Sequence, residues 1–164
     1  MFTNVVSCQM TVNIIPKTDY NNITINGKTL TEIEATQGDA VEVENLFSVT
    51  IQETQVNSDP FHPSYGYIYD GLDLGFSGTG MGDPQEIELS SFEITTSDWS
   101  FTIQGTTVSV GDNISLLGEV AFNSKKDGSK GIIYQYCDGC NNYIGINFNK
   151  NTNKITKIYF VEMT

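Results

Sequence analysis

The chain has 164 residues, 38% of them hydrophobic, with 20 acidic side chains against 8 basic ones and a formal charge of −12. That length and apolar content suit one domain or two small, closely packed halves, and no apolar run nears the roughly 18 residues of a transmembrane helix. So negative a charge repels nucleic acid and anionic lipid surfaces and speeds encounter with a basic partner, although an ordinary solubility surface has the same sign.

Val5-Val6-Ser7-Cys8 has the form of a lipobox, two aliphatic residues and a small one before a cysteine that would be acylated. Only four residues precede it, too few for the basic start and the apolar run of about 7 to 15 residues of a secretory signal. Either the pattern is chance, or Met1 is an internal methionine of a longer signal peptide. Residues 1–22 then read as a polar, Asn-rich leader, with Cys8 as its lipidation site.

Ile23-Thr24-Ile25 reads as a strand with Asn26-Gly27 as its turn. Asp39 is placed to cap a short helix, Glu42 completes a capping box three residues on, and Val43, Leu46 and Phe47 form the apolar stripe. The loop over 57–64 carries Asp59, Phe61, two prolines and the chain's one histidine, His62. Prolines lower the cost of ordering a loop on binding, which makes Phe61 beside Asp59 a candidate anchor. The plainer reading folds Phe61 back over the core and leaves His62 solvated. Strands are expected over 65–69, 72–76 and 87–94, with Asp70-Gly71 as a hairpin turn.

In the second half, Trp99 and Phe101 lead into a strand whose Thr102-Ile103-Gln104-Gly105-Thr106-Thr107-Val108 repeats Thr24-Ile25-Asn26-Gly27-Lys28-Thr29-Leu30, 78 positions later. Asp112 is placed to cap a helix over 113–117 that Gly118 ends in a left-handed conformation. Strands follow over 132–136, 143–148 and 155–161. Cys137 and Cys140 bracket Asp138-Gly139, a favoured pair for a two-residue type I′ turn, so their sulfurs face one another across neighbouring strands and form a disulfide in an oxidising compartment. Three free thiols in a cytoplasmic protein are the alternative.

The landmarks after each copy recur in order, Gly38-Asp39 with Gly111-Asp112 and 87–92 with 155–160. Internal repetition of this kind fixes architecture before any other reading. The expected fold is α+β: two tandem strand-helix-meander repeats, over 23–97 and 98–164, forming one curved antiparallel sheet with short helices on one face. Residues 22–97 hold 13 acids and one base, whereas 98–164 hold six of each, so the net charge lies in the first repeat. Strand alternation lines up Tyr65, Tyr67 and Tyr69, and likewise Tyr134 and Tyr136. Facing the helices these rows are core; facing away they form an aromatic platform, favoured because aliphatic residues are at hand to fill the interior.

This order of elements given twice, with Thr107-Val108-Ser109-Val110-Gly111-Asp112 as its turn-Gly-Asp-helix segment, resembles the two-repeat architecture of the β-lactamase inhibitor protein family and, more loosely, small outer-membrane lipoprotein domains related to it. The resemblance covers about residues 23 to 162. It implies a concave sheet face and projecting loops as the inhibitory surface; a cysteine staple in each copy would suit it, whereas here the pair is confined to the second. No individual contact residue carries over.

No nucleophile motif surrounds His62, Asp70, Asp73 and Asp83 lack the spacing of a calcium loop, and neither cofactor nor metal nor catalytic residue is expected. The expected function is an inhibitor or immunity protein of the bacterial envelope, in the periplasm or on the outer membrane of a Gram-negative cell, that occludes a basic toxin or hydrolase. Its partner-binding residues would be Asp59, Phe61, His62, Tyr65, Tyr67, Tyr69, Asp70, Tyr134 and Tyr136, with no nucleic acid bound and the membrane reached only through Cys8. A structural or assembly lipoprotein, a carbohydrate-binding module and a cytoplasmic location are the alternatives.

Overall fold

A computed structural model describes residues 10–59, 61–79, 86–125 and 127–162. The lipobox with Cys8, and Asp83, lie outside them. In chain order the elements are β1 (Asn13–Ile14), α1 (Lys17–Asn21), β2 (Thr24–Ile25), β3 (Lys28–Thr29), α2 (Leu30–Glu34), α3 (Ala40–Phe47), β4 (Glu53–Asn57), β5 (Ser64–Tyr69), β6 (Leu72–Thr79), β7 (Glu86–Ile94), β8 (Phe101–Ile103), β9 (Thr106–Val108), a 3-10 turn (Ile114–Leu117), β10 (Asn123–Ser124), β11 (Lys130–Gln135), β12 (Asn142–Phe148) and β13 (Ile155–Glu162).

The α+β expectation is overturned: the chain is mostly β, 44% strand against 15% helix, with a nine-stranded mixed sheet and a second sheet of four strands. The large sheet runs β1-β11-β12-β13-β7-β6-β5-β4, with β10 also on β11, and β1 lies parallel to β11, so it is not purely antiparallel. The second sheet, β3-β2-β8-β9, is built from the two short hairpins that the sequence repeats. Each hairpin has strands of only two or three residues and too little surface to bury its own apolar side. Pairing with one another lets Ile25, Phe101 and Ile103 pack as core against the large sheet. Thr24 is the cross-strand partner of Thr102, and Phe92 that of Phe160. Under the sequence repeat these are equivalent residues, so each pair has the arrangement of a local two-fold. The Phe92 and Phe160 rings stack at 5.8 Å there.

Helix plays a smaller part than expected for local reasons. Asp39 caps α3 through Oδ1, which accepts from the backbone N–H of Val41 and Glu42 at 3.0 Å. The capping box belongs instead to α2, where Thr29 and Glu32 exchange bonds at 2.8 and 3.1 Å. In the second half the expected helix is a four-residue 3-10 turn capped by Asn113, because the Asp112 carboxylate turns back to accept from the Ser109 N–H at 2.8 Å. Gly118 ends it with φ of 73° and ψ of −151°, outside the left-handed helical region. The leader is also structured: β1 and α1 occupy part of it, and Ile15 is buried. β4 was not expected at all; it pairs with β5 along one edge, and all five of its residues are exposed.

The second sheet, α2, α3 and Trp99 cover one face of the large sheet, and Tyr67, Tyr69, Leu72, Leu74, Phe76, Phe92, Ile94, Ile144, Ile146 and Phe160 point into that interior. The tyrosine platform is therefore corrected. Tyr67 and Tyr69 are each 2% exposed, Tyr134 is equally buried, and Tyr65 is partly buried on the same row. Of the aliphatic residues thought to fill the interior, Leu72, Leu74, Ile144 and Ile146 share the parity of the tyrosines and face inward with them as one layer, whereas Ile68 falls on the opposite face. The Tyr67 hydroxyl donates to the Gly38 carbonyl, and the Tyr69 ring packs against Phe47 and Trp99 at 6.3 and 5.6 Å.

Candidate functional site

The opposite face of the large sheet is lined by the residues of alternate parity. Across neighbouring strands the register sets Gln55, Gly66, Gly75, Ser91, Val161 and Tyr143 in one row. Glu53, Ile68, Asp73, Glu93, Tyr159, Gly145 and Ile133 form the next. Small residues in the middle of the first row leave a groove of about 370 Å³, bounded by Gln55 and Ile68 on one side and Tyr159 and Val161 on the other. Gly145 lets the Tyr159 ring lie flat on β12, where a Cβ on that glycine would collide with the ring. Tyr143 meets Tyr159 edge to face at 6.0 Å and 84°.

Charge divides this face. At the β4 side, burial pushes the Asp73 carboxyl above its ordinary value, helped by the negative charges of Glu93 and Glu53. At the other side, Lys157 and Lys125 reach over the Tyr159 ring with ammonium groups 5.4 and 5.7 Å from its centre. Lys157 pairs with Glu93 at 3.0 Å, the one ion pair among the described residues, and Lys125 donates to Asn147 Oδ1 at 2.7 Å. Burial lowers the Lys125 ammonium, as does the like charge of Lys157, against the opposing pull of Asp127. Burial raises the Tyr159 hydroxyl. The result is a strip that runs from acidic to aromatic to cationic across one sheet surface.

A second concavity opens on the helix-bearing side, between α1, α2 and the neighbouring parts of β7 and β13. It has a volume of about 260 Å³, and its walls include Tyr20, Tyr136, Phe160, Glu34, Glu88 and Glu162. The Tyr20 and Tyr136 rings are 4.8 Å apart, and Lys17 Nζ lies 5.6 Å from the Tyr136 ring centre.

The residues expected to bind a partner are thus scattered. Asp59, Phe61 and His62 sit on the β4–β5 turn, where Asp59 Oδ1 accepts from the Phe61 and His62 backbone N–H groups at 2.8 and 3.2 Å and orders the turn; Phe61 and His62 are exposed. Asp70 is exposed at the other end of β5, about 20 Å away for a strand of this length, with its carbonyl accepting from Trp99 Nε1 at 2.8 Å. Tyr67, Tyr69 and Tyr134 are interior, and Tyr136 belongs to the second concavity. Cys137 and Cys140 are joined by a disulfide with Cα atoms 5.6 Å apart. The expected two-residue hairpin is wider, since β11 ends at Gln135 and β12 begins at Asn142. Tyr143, Tyr159, Lys125, Lys157 and Glu93 were missed as surface residues. Their signal was present in the polar and small residues that alternate with the apolar ones in β12 and β13. No three of the described His, Cys, Asp or Glu residues come together to hold a metal ion. Comparison with family models, with curated proteins and with solved structures finds no match.

Proposed function

We propose that this chain is a protein-binding inhibitor or immunity protein of the bacterial envelope that lays the uncovered face of its large sheet over a basic toxin or hydrolase. The observation that carries the reading is the glycine-floored groove, with Asp73 and Glu93 in the row beside it and Tyr159 and Val161 at one end. Tyrosine edges fixed by packing cost little entropy to bury, and an adjoining acidic rim recruits a basic partner. The acidic first half adds long-range steering. Tyr143 and Tyr159 stand nearly perpendicular, an arrangement that suits interdigitation with protein side chains better than the parallel stacking of a sugar.

The test begins with capture of a partner from the source cells by the intact chain, followed by kinetics with purified components. Tyr159→Ala and Asp73→Asn should each weaken the complex about tenfold or more, the first through dissociation and the second through a slower, less salt-sensitive association. A complex indifferent to both substitutions, while His62→Ala or Phe61→Ala abolishes it, would move the interface to the β4–β5 turn and overturn the sheet-face reading.

A further inference from the structure

Three carboxylates line the cleft between α1, α2 and the sheet, against one cationic side chain, Lys17, among its described lining residues. Glu34, Glu88 and Glu162 all line it, yet none of their carboxylates makes a hydrogen bond or an ion pair with a described residue. Burial raises the Glu34 carboxyl, with the charges of Glu88 and Glu162 adding to it, and the Glu162 carboxyl rises by burial and by Glu88. Asn142, another lining residue and itself partly buried, has an inaccessible Oδ1 that no donor among the described residues reaches. All three glutamates are partly buried, and like charges so placed repel one another unless a cation joins them.

The aromatic part of the lining is Tyr20, Tyr136 and the largely buried Phe160. Ring faces beside carboxylates form the pair of features that recognises an organic cation, with the rings attracting positive charge over their faces and the carboxylates accepting its N–H groups. One cation already samples this environment, since Lys17 of α1 lies over the Tyr136 ring without pairing with any of the three glutamates. The carboxylates do not converge as metal ligands, which leaves room for a group larger than a bare ion.

We infer that this cleft binds an organic cation rich in N–H donors, a guanidinium in the first place, held between the Tyr20 and Tyr136 rings and the carboxylates of Glu34, Glu88 and Glu162. A guanidinium fits best because it is planar, stacks on aromatic rings and presents five donors in a fork that matches carboxylates. The site is separate from the sheet-face groove, so it stands or falls independently of the proposed inhibitory interface.

The test is titration of the intact chain, followed by calorimetry and by NMR of the Tyr20, Tyr136 and Leu89 signals, with three probes: N-acetyl-argininamide as a mimic of a protein side chain, spermidine as a free polyamine, and magnesium. Saturable binding of either organic cation at the cleft is expected. Tighter binding of argininamide names a protein side chain as the source of the cation, and tighter binding of spermidine names a free amine. The double variant Glu34→Gln, Glu162→Gln should weaken binding at least tenfold. It removes like-charge repulsion, so it remains folded, and the fluorescence of Trp99 verifies this. Lys17→Ala should strengthen binding several-fold by removing the resident competitor. Magnesium binding in preference to both amines, equal affinity in the double variant, or no saturable binding of any probe would overturn the assignment.

Discussion

Tyr67 and Tyr69 are two residues apart on one strand, equally buried, and should respond to loss of the hydroxyl with opposite sign. The Tyr67 hydroxyl donates to the Gly38 carbonyl, whereas Tyr69 Oη is buried with no hydrogen-bond partner among the described residues. Tyr69→Phe keeps the ring against Phe47 and Trp99 and removes a desolvated polar atom, whose burial costs about 1–3 kcal/mol. We expect stabilisation by about 1–2 kcal/mol, which for a chain of this size raises Tm by roughly 3–6 °C. Tyr67→Phe forfeits a hydrogen bond worth about 1 kcal/mol and leaves the carbonyl of Gly38 without that donor, so Tm should fall by roughly 3 °C or more. Urea unfolding followed by the fluorescence of Trp99, the chain's single tryptophan and a direct neighbour of Tyr69, reads both variants on one probe. If Tyr69→Phe lowers stability, the Tyr69 hydroxyl is satisfied in solution and the argument from its burial fails.

Stability should also rise as pH falls from neutrality. The folded-state pKa values of Glu34 and Glu162 lie above the ordinary 4.5, so the native state binds the extra protons between that value and the raised one, and the gain is complete below the ordinary value. Glu34→Gln should raise the urea midpoint at pH 7 and flatten this slope; an unchanged slope in the Glu34→Gln, Glu162→Gln double variant would remove the cleft as its origin. Gly145→Ala puts a Cβ where the Tyr159 ring lies; displacement of the ring should cost about 1–3 kcal/mol and shift the Tyr159 NMR signals, and a silent substitution would contradict the packing. Phe92→Ala, at the stacked pair where the two meanders join, should cost about 3–5 kcal/mol in a denaturant titration. Replacing Cys137 and Cys140 with Ser should cost only about 2 kcal/mol, since the bond closes a very short loop; a loss of folding would show that the bridge does more than restrain the unfolded chain.

Much of the local structure was legible along the chain because it depends on near neighbours. The meander strands fall close to where alternation put them, Asp39 caps a helix, and the two cysteines are close enough in sequence to meet. Longer-range choices were not legible. Tyr65, Tyr67 and Tyr69 alternate identically whether they face in or out, because a period of two identifies a face without saying which side is covered. The charged and aromatic strip was hidden for the same reason: Asp73, Glu93 and the Lys157–Tyr159 pair sit on three strands and become neighbours only through the register of β6, β7 and β13.

Composition and spacing by themselves determined a repeated, strand-rich, acidic chain whose charge lies in its first half, since these properties are additive along the sequence. Tertiary structure alone decided that the two short hairpins pair into a second sheet, that this layer falls on the tyrosine side, and that Glu34, Glu88 and Glu162 line one cleft. Each of those outcomes turns on which apolar surface finds a cover, and that is settled by contacts between residues tens of positions apart.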